Sequence, residues 1–232
     1  METQFDRTIL LLGEDKLNIL KNANVIVFGV GGVGGFCIEA LVRAGISNIT
    51  IVDNDTVNIT NLNRQIIALH STIGKNKVDV MEERIKDINP LCNVTKIKEF
   101  YLPEKNNIDF NKYDYVIDCI DTITAKLDII ERCYKNKVRI ISSMGTGNKL
   151  NPTMLEISDI YKTSVCPLAR VIRYELKKRH VNKLKVLYSK EEPIKKTIPD
   201  LEHKRNSPGS ISFVPSVAGI IIASEVIKDL IK

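Results

Sequence analysis

The glycines at positions 29, 31, 32 and 34 have the spacing with the clearest chemical content in this chain. They follow the apolar run Val25-Ile26-Val27-Phe28, which reads as a buried parallel strand. Residues Phe36–Ala44 read as a helix that ends at Gly45. A strand, a tight glycine turn and a helix N-terminus let backbone approach a phosphate and aim free N–H groups at it. The next strand, Asn48–Val52, ends in Asp53, about 20 residues on, where a carboxylate holds a ribose hydroxyl in such sites. This arrangement points to a nucleotide and leaves open which one.

The elements that must position this chemistry follow from periodicity. Thr8–Leu20 reads as a helix, broken by Asn22-Ala23-Asn24. After Asp53 comes a polar stretch to Gln65, too long and too polar for a plain strand–helix link, so a functional loop is expected. Gly74–Asn89 is helical in pattern, with Pro90 just beyond. Val94–Ile97 and Tyr113–Asp118 are expected strands, Thr122–Lys135 a helix and Val138–Ser143 a further strand. Alternation of this kind predicts an α/β fold, a doubly wound Rossmann-like and mainly parallel sheet with ligands at the strand C-termini. We assign residues 1–150 to a nucleotide-binding core and 151–232 to a C-terminal extension packed on it as one domain. That extension is expected to hold a strand at Thr153–Ile157, a basic helix at Pro167–His180 and a strand at Leu184–Tyr188. A mobile crossover loop, Ser189–Ser210, then precedes Ile211–Val214 and a closing helix, Ser216–Ile231, with small residues on its first turns.

Composition narrows the class. With 232 residues and 44% hydrophobic content the chain can bury a substantial core. It shows no signal-peptide core near the N-terminus, and its longest apolar-rich stretch, Phe213–Ile222, is too short to span a bilayer. The expectation is a cytoplasmic protein with no stable membrane insertion. Five cysteines with no C-x-x-C pair argue against a disulfide framework and against a paired-thiolate zinc site. The net charge of +6 is uneven: residues 161–210 hold thirteen lysines and arginines against five acids. Arg173, Lys177, Lys178, Arg179, Lys183 and Lys185 in that segment suggest a polyanionic partner, with a solvated basic surface as the alternative.

Four features together go beyond a generic dinucleotide fold: the G-x-G-G-x-G turn; Asp53-x-Asp55; Asn61-x-x-Arg64-Gln65 followed by Gly74-x-x-Lys77; and Asp118-x-x-Asp121 at a strand end. With Asp6-Arg7-Thr8-Ile9-Leu10 at the start and Ser216-Val217-Ala218-Gly219 near the end, the chain resembles the ubiquitin-activating-enzyme-like adenylyltransferases, the ThiF/MoeB/HesA group, over nearly its whole length. The resemblance implies ATP and Mg²⁺ and activation of a carboxylate by attack on the α-phosphate. Charge builds on the phosphates in that step, so fixed cations are required. Arg64 and Lys77 take that role in the family. Asp121 holds the metal, Asp53 the ribose, and Asn61 phosphate or ribose, beside the glycines and Asp55. The arginine matching Arg7 reaches the partner subunit's nucleotide, which implies a homodimer.

Further motifs, Asn151-Pro152-Thr153, Ser158–Thr163 with Pro167-Leu168-Ala169, Tyr188–Pro193 and Pro208–Pro215, are similar to those of the tRNA-modifying branch of the group. That branch closes a ring on a threonyl-bearing adenosine beside the tRNA anticodon. The resemblance implies tRNA as partner and also allows sulfur-relay protein partners. The alternative is activation of a sulfur-carrier protein ending in Gly-Gly. A nicotinamide-dependent dehydrogenase shares the glycine turn and Asp53 but leaves Arg64, Lys77 and Asp121 without a task, and a module that only binds nucleotide leaves them equally idle. Ring closure within one substrate needs no covalent relay, so Cys166, the plausible thiol at a helix start, is expected to be dispensable.

Overall fold

The computed structural model describes residues 2–105, 107–195 and 208–232. One seven-stranded sheet organises them, in the order β3-β2-β1-β4-β5-β7-β6. The strands are β1 (Asn24–Phe28), β2 (Asn48–Val52), β3 (Asn93–Ile97), β4 (Tyr115–Asp118), β5 (Ile140–Ser143), β6 (Leu155–Asp159) and β7 (Lys185–Ser189). All pairs are parallel except β6–β7. The helices are α1 (Asp6–Leu12), α2 (Glu14–Asn22), α3 (Gly34–Ala44), α4 (Lys77–Ile88), α5 (Ile123–Lys135), α6 (Pro167–Lys178) and α7 (Phe213–Leu230). Helices α3, α4 and α7 build the core on one face, with Ile38, Leu41, Met81, Ile222 and Val226 fully buried. The other face is covered by α5 and α6 through Ile129, Ile130, Ile172 and Leu176. The strand β7 of the C-terminal segment inserts beside β5, so the sheet runs through both halves of the chain. Among the described residues no helix is long and apolar enough to cross a membrane.

Three sequence expectations need correction. The single helix over Thr8–Leu20 is two, because Gly13 sits at φ +85° between α1 and α2. Strand β6 begins at Leu155 and not Thr153, because Asn151 caps a tight turn at Pro152–Met154 through the Thr153 N–H. The closing helix expected over Ser216–Ile231 starts at Phe213 and ends at Leu230, and Pro215 falls in its first turn, where a missing N–H costs nothing. The expected mobile loop, Ser189–Ser210, has 196–207 outside the described residues; its flanks at 190–195 and 208–210 contain neither helix nor strand.

Gly219 fixes how the last helix meets the first βα unit. A Cβ there would lie 2.3 Å from the Val33 carbonyl oxygen and 2.9 Å from the Cys37 nitrogen, so only glycine allows α7 to cross α3 this closely.

Candidate active site

A cavity of about 390 Å³ opens at the C-terminal ends of β1, β2 and β4, where open α/β sheets bind ligands. Gly29 leaves β1 at φ +91°, and its N–H donates to the Val52 carbonyl at 2.8 Å. A Cβ on Gly34 would stand 1.8 Å from the Gly29 carbonyl oxygen, so the turn closes only around glycine. Gly31 and Gly32 line the cavity, and α3 begins at its edge with its N-terminal end, which favours anions, turned toward it. Asp53 braces the turn from β2. Its Oδ2 accepts the Val30 N–H at 2.7 Å and its Oδ1 the Asp55 N–H at 2.8 Å.

The structure brings Gly29, Gly31, Gly32, Asp53, Asp55, Asn61, Arg64, Lys77 and Asp121 to one cavity. Lys77, at the first position of α4, is buried and donates to Asp55 Oδ2 at 2.7 Å, while the Asp55 side chain remains 59% exposed. Arg64 is held by the Thr60 carbonyl at 2.9 Å and Asn63 Oδ1 at 3.0 Å. Neither is a carboxylate, so the guanidinium charge is left uncompensated for a phosphate. Asn61 Oδ1 accepts the Asn58 N–H at 3.0 Å and shapes the same turn. Asp121 lies exposed on the cavity rim, and its carboxylate has no hydrogen bond or ion pair among the described residues. The α5 N-cap is Thr122, one residue later.

Arg7 is absent from this cavity. It is exposed on α1, beside Leu10 and Leu11, which are 86% and 83% exposed. Cys166, the N-cap residue of α6, is buried and also lies outside the cavity. Cys119 does line it, but burial, reinforced by Asp118, pushes its thiol up to about 12, so it carries no thiolate. The basic residues of the 161–210 segment fall elsewhere. Helix α6 runs away from the cavity end, so Lys177, Lys178 and Arg179 sit at its far end, and Lys183 and Lys185 at the N-terminal end of β7.

Several groups to which the sequence reading gave no task also line this cavity. Gln65 lies beneath the glycine turn, 7% exposed, and its Oε1 is the buried side-chain oxygen without a partner among the described residues. An orphaned buried acceptor calls for a donor such as a water molecule. Val52, Tyr101, Ile120 and Ala125 make an apolar wall suited to a base. Tyr101 is fixed there by donating to Asp128 at 2.6 Å, by accepting from Arg132 at 3.0 Å and by packing edge-on against Phe28. Ser210 and Pro215 close the opposite rim, and Asn63 donates to the Ser210 carbonyl at 3.0 Å.

Beneath the site, Lys126 and Asp118 form a fully buried ion pair at 2.7 Å. The Lys126 ammonium also donates to Ser142 Oγ at 3.1 Å and to the Ser143 carbonyl at 2.9 Å. Ser142 donates to Asp118 Oδ2 at 2.6 Å, and Asp118 Oδ1 accepts the Ile120 N–H at 3.3 Å. This network pegs the segment that presents Asp121.

A glycine turn, two cations and an exposed carboxylate meet at one cavity of a doubly wound sheet, the make-up of an adenylyltransferase-like site. The ThiF family model matches residues 5–232, and the chain belongs to that family. It is 46% identical over 241 residues to the tRNA threonylcarbamoyladenosine dehydratase of Bacillus subtilis (strain 168), covering 99% of this chain and 95% of that protein. It is 42% identical over 178 residues to the enzyme of the same name from Haemophilus influenzae, covering 76% of this chain and 68% of that one. The solved structure of the E. coli tRNA N6-threonylcarbamoyladenosine dehydratase in complex with ATP matches with a TM-score of 0.87 at 33% identity, over 98% of this chain and 93% of that chain.

Proposed function

We propose that this protein is an ATP-dependent tRNA threonylcarbamoyladenosine dehydratase that works through an acyl adenylate in the cytoplasm. The observation that carries the reading is the convergence of the glycine turn, Arg64, Lys77 and Asp121 on one cavity, in a chain that spans 95% of a dehydratase of that name. The threonyl carboxylate attacks the α-phosphate of ATP, and pyrophosphate leaves. The neighbouring carbamoyl group then attacks the activated carbonyl, AMP leaves and a ring closes, so the net change is loss of water. Arg64 and Lys77 stabilise charge on the phosphates in this step, with Lys77 exchanging its ion pair with Asp55 for a phosphate oxygen. Asp53 receives a ribose hydroxyl and Asn61 contacts phosphate or ribose.

The unpaired carboxylate of Asp121 suits Mg²⁺, which usually takes one or two protein carboxylates together with substrate phosphates. Among the described residues no group of three or more acidic, histidine or cysteine side chains is placed to hold a metal ion, and an ion shared with substrate phosphates needs only one or two protein carboxylates. When bound, the ion would supply charge neutralisation at the phosphates.

We infer further that the protein acts as a homodimer. The exposed Leu10 and Leu11 surround an Arg7 that reaches no acid or phosphate site of its own subunit. Mixing Arg7→Ala and Lys77→Ala chains should restore activity in heterodimers if Arg7 serves the partner's cavity. Arg173, Lys177, Lys178, Arg179, Lys183 and Lys185 are assigned to tRNA binding by charge, and sulfur-relay proteins are candidate partners by family resemblance.

The test is AMP and pyrophosphate release with three acceptors. Threonylcarbamoyl-modified tRNA should support both products in equal amounts, and unmodified tRNA neither. Turnover only with a carrier protein ending in Gly-Gly would replace this reading with the alternative one.

A further inference from the structure

The exposed cations that lack a counter-ion do not cluster at the nucleotide cavity. Arg170, Tyr174 and Lys177 are exposed on α6 at spacings of four and three residues, which sets them in one stripe along its outer face. Lys178 folds over the Tyr174 ring at 4.1 Å from its centroid. The stripe starts at the end of α6 nearest Cys166 and descends to the opposite end of the sheet. There a groove of about 680 Å³ opens at the N-terminal ends of β4, β5 and β7, lined by Lys137, Arg139, Lys183, Lys185 and Lys232.

The acids of this groove are already spent. Asp229 is paired with Lys185 and Lys232, and Glu225 with Lys185 and Lys228. Arg170, Lys137, Lys162, Lys177 and Lys183 have no carboxylate partner among the described residues. Lys137 and Lys183 line the groove, Arg170 and Lys177 lie on α6 and Lys162 in the turn before it; uncompensated charge of one sign along a helix and at a concave surface concentrates positive potential.

Length decides what this surface fits. Twelve residues of α6 span about 18 Å at roughly 1.5 Å per residue. A lone nucleotide or carboxylate cannot reach from the cavity to the groove; a chain of phosphates can. We propose that the α6 stripe and the groove form a second RNA-backbone site, which takes phosphodiesters of the substrate tRNA outside its anticodon loop while the reacting adenosine occupies the cavity. This rests on the reading of the chain as a tRNA-modifying enzyme and adds that recognition extends to the opposite end of the sheet.

The test compares wild type with the triple variant Lys137→Gln, Lys162→Gln, Arg170→Gln, all exposed side chains without partners, so folding is undisturbed. Two RNAs carry the same modified adenosine: the full tRNA and a short oligonucleotide of the anticodon loop. For full tRNA the variant should bind about tenfold or more weakly, and its log–log salt slope should flatten by roughly 0.7–0.9 for each phosphate no longer neutralised. Turnover of the loop oligonucleotide should match wild type. Unchanged tRNA affinity and salt slope would reduce the stripe to a solvated surface and overturn the proposal. An equal loss on both RNAs would also overturn it, by placing these cations at the cavity. Retained tRNA affinity with lost affinity for polyglutamate would reassign the surface to an acidic protein. If wild type turns over neither RNA the dehydratase reading falls, while the binding comparison still decides the second site.

Discussion

Replacing Lys126 with methionine tests how far the buried network beneath the site holds both fold and function. Lys126 and Asp118 are each 0% exposed, and the ammonium makes three hydrogen bonds, to Asp118, Ser142 and the Ser143 carbonyl. Methionine keeps most of the volume and removes all three donors. Asp118 would then be a carboxylate in the core with only the Ser142 hydroxyl and the Ile120 N–H, and the Ser143 carbonyl would no longer accept from the ammonium. Breaking a buried pair by removing one partner costs about 3–5 kcal/mol. That is a large part of the roughly 5–15 kcal/mol that holds a domain together. At about 2–4 °C per kcal/mol for a chain of this size, Tm should fall by roughly 6–20 °C. Thermal unfolding followed by circular dichroism reads this directly. The double variant Asp118→Asn, Lys126→Met removes both charges and should recover part of the loss, a coupling of about 0.5–3 kcal/mol. The Ile120 N–H bond ties Asp118 to the segment bearing Asp121, so ATP affinity should also drop several-fold at a temperature where the variant is folded. A loss below about 1 kcal/mol, or a double variant no better than the single one, would refute the account.

The other predictions concern the cavity and its surroundings. Arg64→Ala and Asp121→Ala should each lower kcat by about 10²–10³ while leaving Tm close to wild type, since neither side chain supports the core; near-normal turnover in either would remove that residue from the site. Cys166→Ala should retain turnover, because Cys166 is buried outside the cavity; lost activity with intact ATP binding and a trapped thioester would install a covalent relay instead. Burial alone would raise the Asp229 carboxyl, but hydrogen bonds from Lys185, Lys232 and Tyr115 outweigh it and hold the group well below the usual carboxylate range. A depressed carboxyl stabilises the fold fully above its unfolded value near pH 4 and loses that contribution as pH falls. The stability gap between wild type and Asp229→Asn, measured by urea unfolding, should therefore be widest at neutral pH and close as the medium is acidified below about pH 4; a gap independent of pH would show that the interactions removed are not ionic.

The first βα unit was legible because its information is local. Val25–Phe28, the glycine spacing and Asp53 lie within 30 residues, and each element carries its own period. The contacts that sequence could not assign all span long separations. The Asp118 carboxylate meets Ser142 from a neighbouring strand, and Gln65 is orphaned only once the turn at Gly31 covers it. Tyr101 acquires its place through Asp128 and Arg132 on α5. The basic segment illustrates the opposite error. Residues 161–210 look like one patch on paper, but β6 runs antiparallel to β7 and α6 then crosses the length of the sheet. Chain proximity therefore concealed that the helix carries its lysines to the end remote from the nucleotide. Gly13 was visible in the sequence and still did not break the predicted helix, because the apolar period continues across it.

The close crossing at Gly219 ties the order of synthesis to the completion of the cavity. The wall formed by Ser210 and Pro215 is made long after the glycine turn it completes; Asn63 waits 147 residues for the carbonyl it binds. A chain growing from the ribosome displays the phosphate turn early, with Val33 and Cys37 still uncovered by α7. Such a nascent chain has the turn without the rim that Ser210 and Pro215 supply, so the cavity takes its full outline only when the last helix docks.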